Sequence, residues 1–131
     1  MEKMILVVDD EPSMLDFMDA VLKDAGYDVL LADGADRALD IFSRQEVSIV
    51  FLDLRLFGVN GMELCRQMRQ KKPLTILYAM TGWSGLFDIE ECREAGFDDY
   101  FAKPLRIEAI LKAVEEAFEK RDRWQMKYKQ I

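Results

Sequence analysis

Residues 47–53 read Val-Ser-Ile-Val-Phe-Leu-Asp, a nearly continuous apolar run that stops at a single carboxylate. Such a run, without polar alternation, suits a strand buried on both faces, as in a parallel sheet. Met4 to Val8 and Leu74 to Met80 have the same character, and Asp28 to Ala32 and Asp99 to Ala102 are shorter strand candidates. Between them lie stretches of helical period: Pro12 to Ala25, Ala35 to Gln45, Gly61 to Gln70, Phe87 to Ala95, and Leu105 onward. Pro12 suits the first turn of a helix, and Gly26 and Gly96 stand where a helix stops and the next strand begins. Strand and helix thus alternate five times. That order predicts an α/β fold with right-handed crossovers and an open, doubly wound parallel sheet.

At 131 residues, half of them apolar and three of them proline, the chain has the size of one domain with one core. Cys65 and Cys92 stand alone, with no histidine anywhere in the chain, and read as reduced, buried thiols rather than metal ligands. No apolar run approaches the ~20 residues of a membrane span, and Met1 to Val8 is too short for a secretory signal. A cytoplasmic protein without membrane contact is expected. The formal charge of −7 argues against direct nucleic-acid binding. Residues 120–131 carry Lys120, Arg121, Arg123, Lys127 and Lys129 against Asp122, a local +4, so the remainder carries −11 of the total.

In doubly wound folds the ligand site lies beyond the carboxyl ends of the strands. The first strand runs into Asp9, Asp10 and Glu11. These carboxylates would repel a phosphate but attract a hard cation such as Mg²⁺, although acids in a first helical turn also serve as plain caps. The third strand ends in Asp53, which beside Asp9 and Asp10 would suffer like-charge repulsion that a metal relieves. The fourth ends in Thr81 and Gly82, and the fifth in Lys103 and Pro104. Either residue alone is commonplace. Together they set an acid pair, a candidate nucleophile, a hydroxyl and an ammonium along one rim, a set suited to phosphoryl transfer onto a carboxylate.

The segments Val7-Val8-Asp9-Asp10-Glu11, Phe51-Leu52-Asp53, Met80-Thr81-Gly82 and Tyr100-Phe101-Ala102-Lys103-Pro104 closely resemble the receiver domains of two-component response regulators, over roughly residues 3–118. The resemblance implies a CheY-like, flavodoxin-like (βα)5 fold of strand order 2-1-3-4-5, with the receiver in residues 1–119 and a helical extension or linker in 120–131. It implies that Asp53 is the phosphoacceptor, charged from a sensor histidine kinase or a phosphotransfer protein. Asp10, Asp53 and the Arg55 carbonyl would bind Mg²⁺, with Asp9 helping through water. Thr81 and Lys103 would grip the phosphoryl oxygens, and Tyr100 would turn inward behind Thr81. A cis peptide at Lys103-Pro104 is implied too, as is a population shift of the surface formed by the fourth helix, fifth strand and fifth helix. A domain of this kind phosphorylates itself and slowly loses the phosphate; it is not an enzyme acting on other substrates.

Some positions depart from the family pattern. Phe57 stands where many receivers have proline, which loosens the loop over the site or leaves Phe57 as a docking contact. Trp83, two residues past Thr81, reads with Arg55 as a shield for the acyl phosphate, or as packing on the fourth helix. Ile107, Val114, Arg121 and Tyr128 repeat every seven, as do Ile110, Ala117, Trp124 and Ile131. This weak seam reads equally as a dimerising extension, a linker to a downstream output domain, or a frayed basic tail. The D-L-R-L and G-M-E-L runs look most like receivers of the nitrogen-regulator (NtrC) group, which would make the chain part of a transcription regulator. Among rivals, a haloacid-dehalogenase-type phosphatase needs an acid where Arg55 stands, and a flavodoxin would not carry Asp9-Asp10-Glu11 in its phosphate loop. A degenerate receiver that serves only as a docking module is the remaining alternative.

Overall fold

Alternate residues of the central strands face opposite cores, which is why those strands are apolar throughout. In the computed structural model, residues 3–56, 59–82 and 89–129 are described. Strands β1 (Met4–Val8), β2 (Asp28–Ala32), β3 (Ile49–Asp53), β4 (Ile76–Thr81) and β5 (Asp99–Ala102) form one five-stranded sheet. All neighbours are parallel and the order is 2-1-3-4-5, as expected. Helices α1 (Pro12–Asp24), α2 (Ala35–Arg44), α3 (Gly61–Lys71), α4 (Ile89–Ala95) and α5 (Ile107–Lys129) connect and cover it. Ile5, Val7, Ile49 and Phe51 pack on one face with Met18 and Leu22 of α1 and Ile110 and Val114 of α5. Leu6, Val8, Val50 and Leu52 pack on the other with Phe42 of α2, Leu64 and Met68 of α3, and Cys92 of α4. This period of two on a sheet covered on both sides is the physical content of the apolar runs.

The punctuation behaves as read. Pro12 opens α1, and Gly26 and Gly96 adopt φ of +95° and +108° at the ends of α1 and α4, a backbone region that residues with a Cβ rarely enter. Neither cysteine is in a disulfide and both are buried; burial pushes the Cys65 thiol up to about 12, and its Sγ donates to the Ala95 carbonyl at 3.4 Å.

Two features differ from the reading of the sequence. A short antiparallel ladder pairs Arg55–Leu56 with Val59–Asn60 in the loop before α3, where the local sequence shows no strand pattern. The heptad seam is also used differently, because Ile110, Val114 and Ala117 lie inside the domain's own core. Those side chains are not available to a dimer; Ile107 and Trp124 remain exposed, and α5 continues as one helix to Lys129.

At the amino ends of β4 and β5 sits a clamp that the sequence did not suggest. Arg69 of α3 donates through Nε and Nη2 to the Gly96 carbonyl, and through Nη1 to the carbonyls of Pro73 (2.8 Å) and Thr75 (2.6 Å). Its Nη2 also pairs with Asp98 Oδ2 at 2.9 Å, and the same oxygen accepts from the Leu77 amide at 2.8 Å. One guanidinium therefore ties α3 to the turns that feed β4 and β5. Arg69→Ala leaves the partly buried carbonyls of Gly96 and Thr75 without this donor and Asp98 without its ion pair, and should lower stability by about 2 to 3 kcal/mol. In urea unfolding this appears as a lower midpoint at unchanged slope.

Candidate functional site

β1 and β3 are neighbours in parallel register, with Val8 opposite Leu52. The next residues, Asp9 and Asp53, are thereby brought side by side where both strands leave the sheet, and Asp10 follows. Carboxylate oxygens of Asp9, Asp10 and Asp53 lie within 4.8 Å of one another. Asp9 is fully buried and Asp53 is 4 % exposed, while Asp10 is half-buried. Their arrangement concentrates negative charge in a place largely withdrawn from water.

Lysine 103 holds this cluster together. Its backbone N–H donates to the Thr81 carbonyl at 2.7 Å, which continues the β4–β5 pairing by one residue, and the Lys103-Pro104 peptide is cis. From there Nζ reaches Asp9 Oδ2 at 2.8 Å and Asp53 Oδ2 at 3.3 Å. The remaining oxygens are held by backbone: Glu11 N–H donates to Asp9 Oδ1 at 2.9 Å, and Arg55 N–H donates to Asp53 Oδ1 at 3.0 Å.

Burial raises the Asp53 pKa above its ordinary value of 3.8; the Arg55 amide opposes this, Asp9 adds to it, and Lys103 opposes it. Burial works to lower the Lys103 pKa, but its hydrogen bond to Asp9 and the charges of Asp53 and Asp9 outweigh that, so the ammonium is held more firmly than usual. The site therefore contains a carboxylate whose charge is disfavoured beside an ammonium whose charge is secured.

Gly61, at the start of α3, explains how the loop after Asp53 folds back so tightly. Its N–H donates to the Leu54 carbonyl at 3.1 Å, and a Cβ on Gly61 would stand 2.6 Å from the Asp53 carbonyl oxygen. Only a residue without a side chain fits against that backbone. Asn60 caps α3 by accepting from the Met62 amide at 2.8 Å.

The other candidate residues are distributed as follows. Thr81, half-buried, ends β4, and Arg55, exposed, lies two residues past Asp53. Tyr100 is 43 % exposed, an outward position rather than one packed behind Thr81. Phe57 and Trp83 lie outside the described residues. Asp9, Asp10, Asp53 and Lys103 are brought together; a lysine at this strand end is expected to pair with a phosphate or with Asp53, and what the reading of the sequence missed is its second grip on Asp9, because no local pattern encodes a contact spanning 94 residues.

Residues 5–115 match the family model of the response regulator receiver domain. The chain belongs to that family. Among curated proteins it is 36 % identical to the alkaline phosphatase synthesis transcriptional regulatory protein PhoP of Bacillus subtilis, over 88 % of this chain and 51 % of PhoP. The chain thus spans about half the length of that relative. A CheY-like receiver domain from Methanospirillum hungatei superposes with a TM-score of 0.89 at 26 % identity, covering 94 % of this chain and 98 % of that one. NtrX from Brucella abortus, solved with ADP, superposes with a TM-score of 0.87 at 27 % identity, covering all of this chain and 30 % of NtrX. The protein is a receiver domain of a two-component response regulator, and among the described residues no helix is long and apolar enough to cross a membrane.

In this receiver the ionised Asp53 opposes folding. Because its folded-state pKa is raised, the folded domain holds the proton to higher pH than the unfolded chain does. Stability falls as pH rises from near 3.8 through the folded pKa, and the loss is complete above it. Asp53→Asn should therefore be more stable than the parent at neutral pH in the presence of EDTA, with the advantage fading toward acid. Thermal melts across pH read this directly, and a parent that gained stability relative to Asp53→Asn as the pH rose from near 3.8 to neutral would contradict it. Gly61→Ala should cost about 1 to 3 kcal/mol, because backbone rather than a flexible side chain occupies the space.

Proposed function

We propose that this receiver is a working phosphorylation switch in which Asp53 accepts a phosphoryl group. The observation that carries this reading is the bridge of Lys103 between Asp9 and Asp53 at the carboxyl end of the sheet. A purely structural acid would gain nothing from burial beside a second buried acid.

Hard oxygen donors clustered within one coordination sphere's reach suit Mg²⁺, which binds through one or two carboxylates and keeps waters. Asp10, Asp53 and the Arg55 carbonyl would hold the ion directly. Asp9 would act through water, which agrees with both of its oxygens already being engaged by Glu11 N–H and Lys103. When bound, the cation neutralises charge on the entering phosphoryl group. An Asp53 oxygen forms its bond to phosphorus while the phosphorus–nitrogen bond of the donor's phosphohistidine breaks, and the imidazole keeps the electron pair and takes up a proton. Lys103 then exchanges a carboxylate partner for phosphoryl oxygens, and the Thr81 hydroxyl donates to another. Arg55, exposed at the rim, contributes to how long the phosphate survives.

Tyr100, outward here, is the natural reporter of the switch: its burial behind Thr81 would alter the surface of α4, β5 and α5. The donor is a sensor histidine kinase or a phosphotransfer protein, and the setting is the cytoplasm. The similarity to PhoP, a transcriptional regulatory protein about twice as long as the matched stretch, supports an output module downstream of a receiver like this one. The domain turns over no external substrate. A phosphorylation-independent docking module would not require the Asp9–Lys103–Asp53 arrangement.

Incubation with Mg²⁺ and acetyl phosphate, read by intact mass, should give a single phosphate adduct. Asp53→Asn and removal of the metal should abolish it, and Lys103→Ala should lower its yield at least about tenfold. No adduct from either acetyl phosphate or a phosphohistidine donor would make the domain a docking module.

A further inference from the structure

The outward face of α5 changes sign part-way along its length. From Ile107 to Glu119 the helix carries four glutamates against one lysine, a net −3, and from Lys120 to Lys127 it carries four cations against Asp122, a net +3. Glu116, Glu119, Arg123 and Lys127 are all exposed and recur at spacings of three and four, so they share one stripe on the side turned away from the sheet. Among the described residues Phe118 is the last buried one of α5, and the helix runs on to Lys129, roughly 16 Å past the core.

These charges are not used within the chain. Among the described residues none of the four is in an ion pair, although Glu119 and Arg123 stand four apart, the spacing at which Asp19–Lys23 of α1 and Asp40–Arg44 of α2 do pair.

We propose that a second copy of this chain docks on this stripe, its own α5 running antiparallel, to form a two-fold dimer. A helix whose exposed face is acidic first and basic last is complementary to itself only when reversed. Parallel pairing would set glutamate against glutamate and cation against cation. A nucleic acid or an anionic membrane would be drawn to one half of the face and repelled by the other. With Glu119 opposite the partner's Arg123, Glu116 falls beside the partner's Lys127, and the two-fold axis supplies each pair twice.

The extension past Phe118 keeps this arrangement sterically open. The two domains then sit at opposite ends of the paired helices, and the last turns of each α5 lie along the outer face of the other. Trp124 and Met126, 56 % and 63 % exposed, flank the stripe and give the contact apolar margins. The face is also distinct from the heptad seam, whose Ile110, Val114 and Ala117 are spent on the domain's own core. Exposed ion pairs are individually weak and screened by salt, and one helix pair buries less area than a permanent interface, so the contact is concentration-dependent. This inference does not depend on phosphorylation of Asp53.

The test is sedimentation equilibrium of the full, unphosphorylated chain at concentrations up to on the order of 1 mM. A monomer–dimer equilibrium is expected, with a dissociation constant that rises at least about tenfold between about 20 mM and about 500 mM sodium chloride. The double variants Glu116→Lys/Glu119→Lys and Arg123→Glu/Lys127→Glu should each be monomeric, and an equimolar mixture of the two should dimerise again, which a folding defect could not produce. Mild oxidation of a mixture of Glu116→Cys and Lys127→Cys chains should give the mixed disulfide in excess over either like pair, since the native Cys65 and Cys92 are buried. A parent that stays monomeric, a dimer indifferent to salt or to the charge reversals, a mixture that fails to re-form it, or an excess of like-pair disulfides would overturn the proposal. So would a monomeric parent retained by phosphatidylserine vesicles, which would assign this face to a membrane.

Discussion

Asp9 and Asp53 are placed side by side by the parallel register of β1 and β3, and no rearrangement short of unpairing those strands could separate them. Like charges so close in a partly dry cleft repel more strongly than they would in water. One ammonium, from Lys103, offsets this repulsion by reaching both. In the strand order 2-1-3-4-5, β4 lies between β5 and β3, so the lysine at the end of β5 must span a full strand to reach Asp53. A long, flexible side chain with a compact charge can do this. The strand order, the identity of residue 103 and the acidity of the cleft are thus one requirement seen at three levels.

The two ends of the sheet meet different demands. At the carboxyl end, charge is gathered and only partly balanced. At the amino end, the guanidinium of Arg69 satisfies carbonyls of Gly96, Pro73 and Thr75 together with Asp98, and it leaves no donor idle. β5 links the two directly, since it begins one residue after Asp98 and ends one residue before Lys103. A well-anchored start to that short edge strand means that a change in what Lys103 grips is resisted at Asp98. Between these two anchored ends, Tyr100 is the large exposed side chain of β5.

Much of this was legible in the amino-acid sequence, for a physical reason. A strand with both faces buried cannot hide its composition, so Met4 to Val8, Val47 to Leu52 and Leu74 to Met80 stood out, and the residue that stops each run is necessarily at the rim. The sheet and the site acids followed from that one fact. What stayed hidden depends on contacts without a local signature. Arg69 and Asp98 are 29 residues apart and each looks like an ordinary solvated charge in its own element. Likewise, spacing seven apart along α5 could not tell a dimer seam from a face turned toward the domain's own sheet. Ile110, Val114 and Ala117 went to the nearer partner, because intramolecular burial needs no second chain to be recruited.

The site is the place where the sequence contradicts the rules that built the rest. The three inner strands β1, β3 and β4 bury apolar groups on both faces, yet at the ends of β1 and β3 the same geometry buries carboxylates. Such local conflict with an otherwise consistent fold is expected at a functional site. If Asp9 and Asp53 were fully neutralised by fixed groups, an added charge at Asp53 would find no partner to rearrange. If they had none, the strand ends would not hold their positions. A single shared lysine sits between these limits: it stabilises the cluster enough for the sheet to close, and it leaves the negative charge of the strand ends only partly balanced.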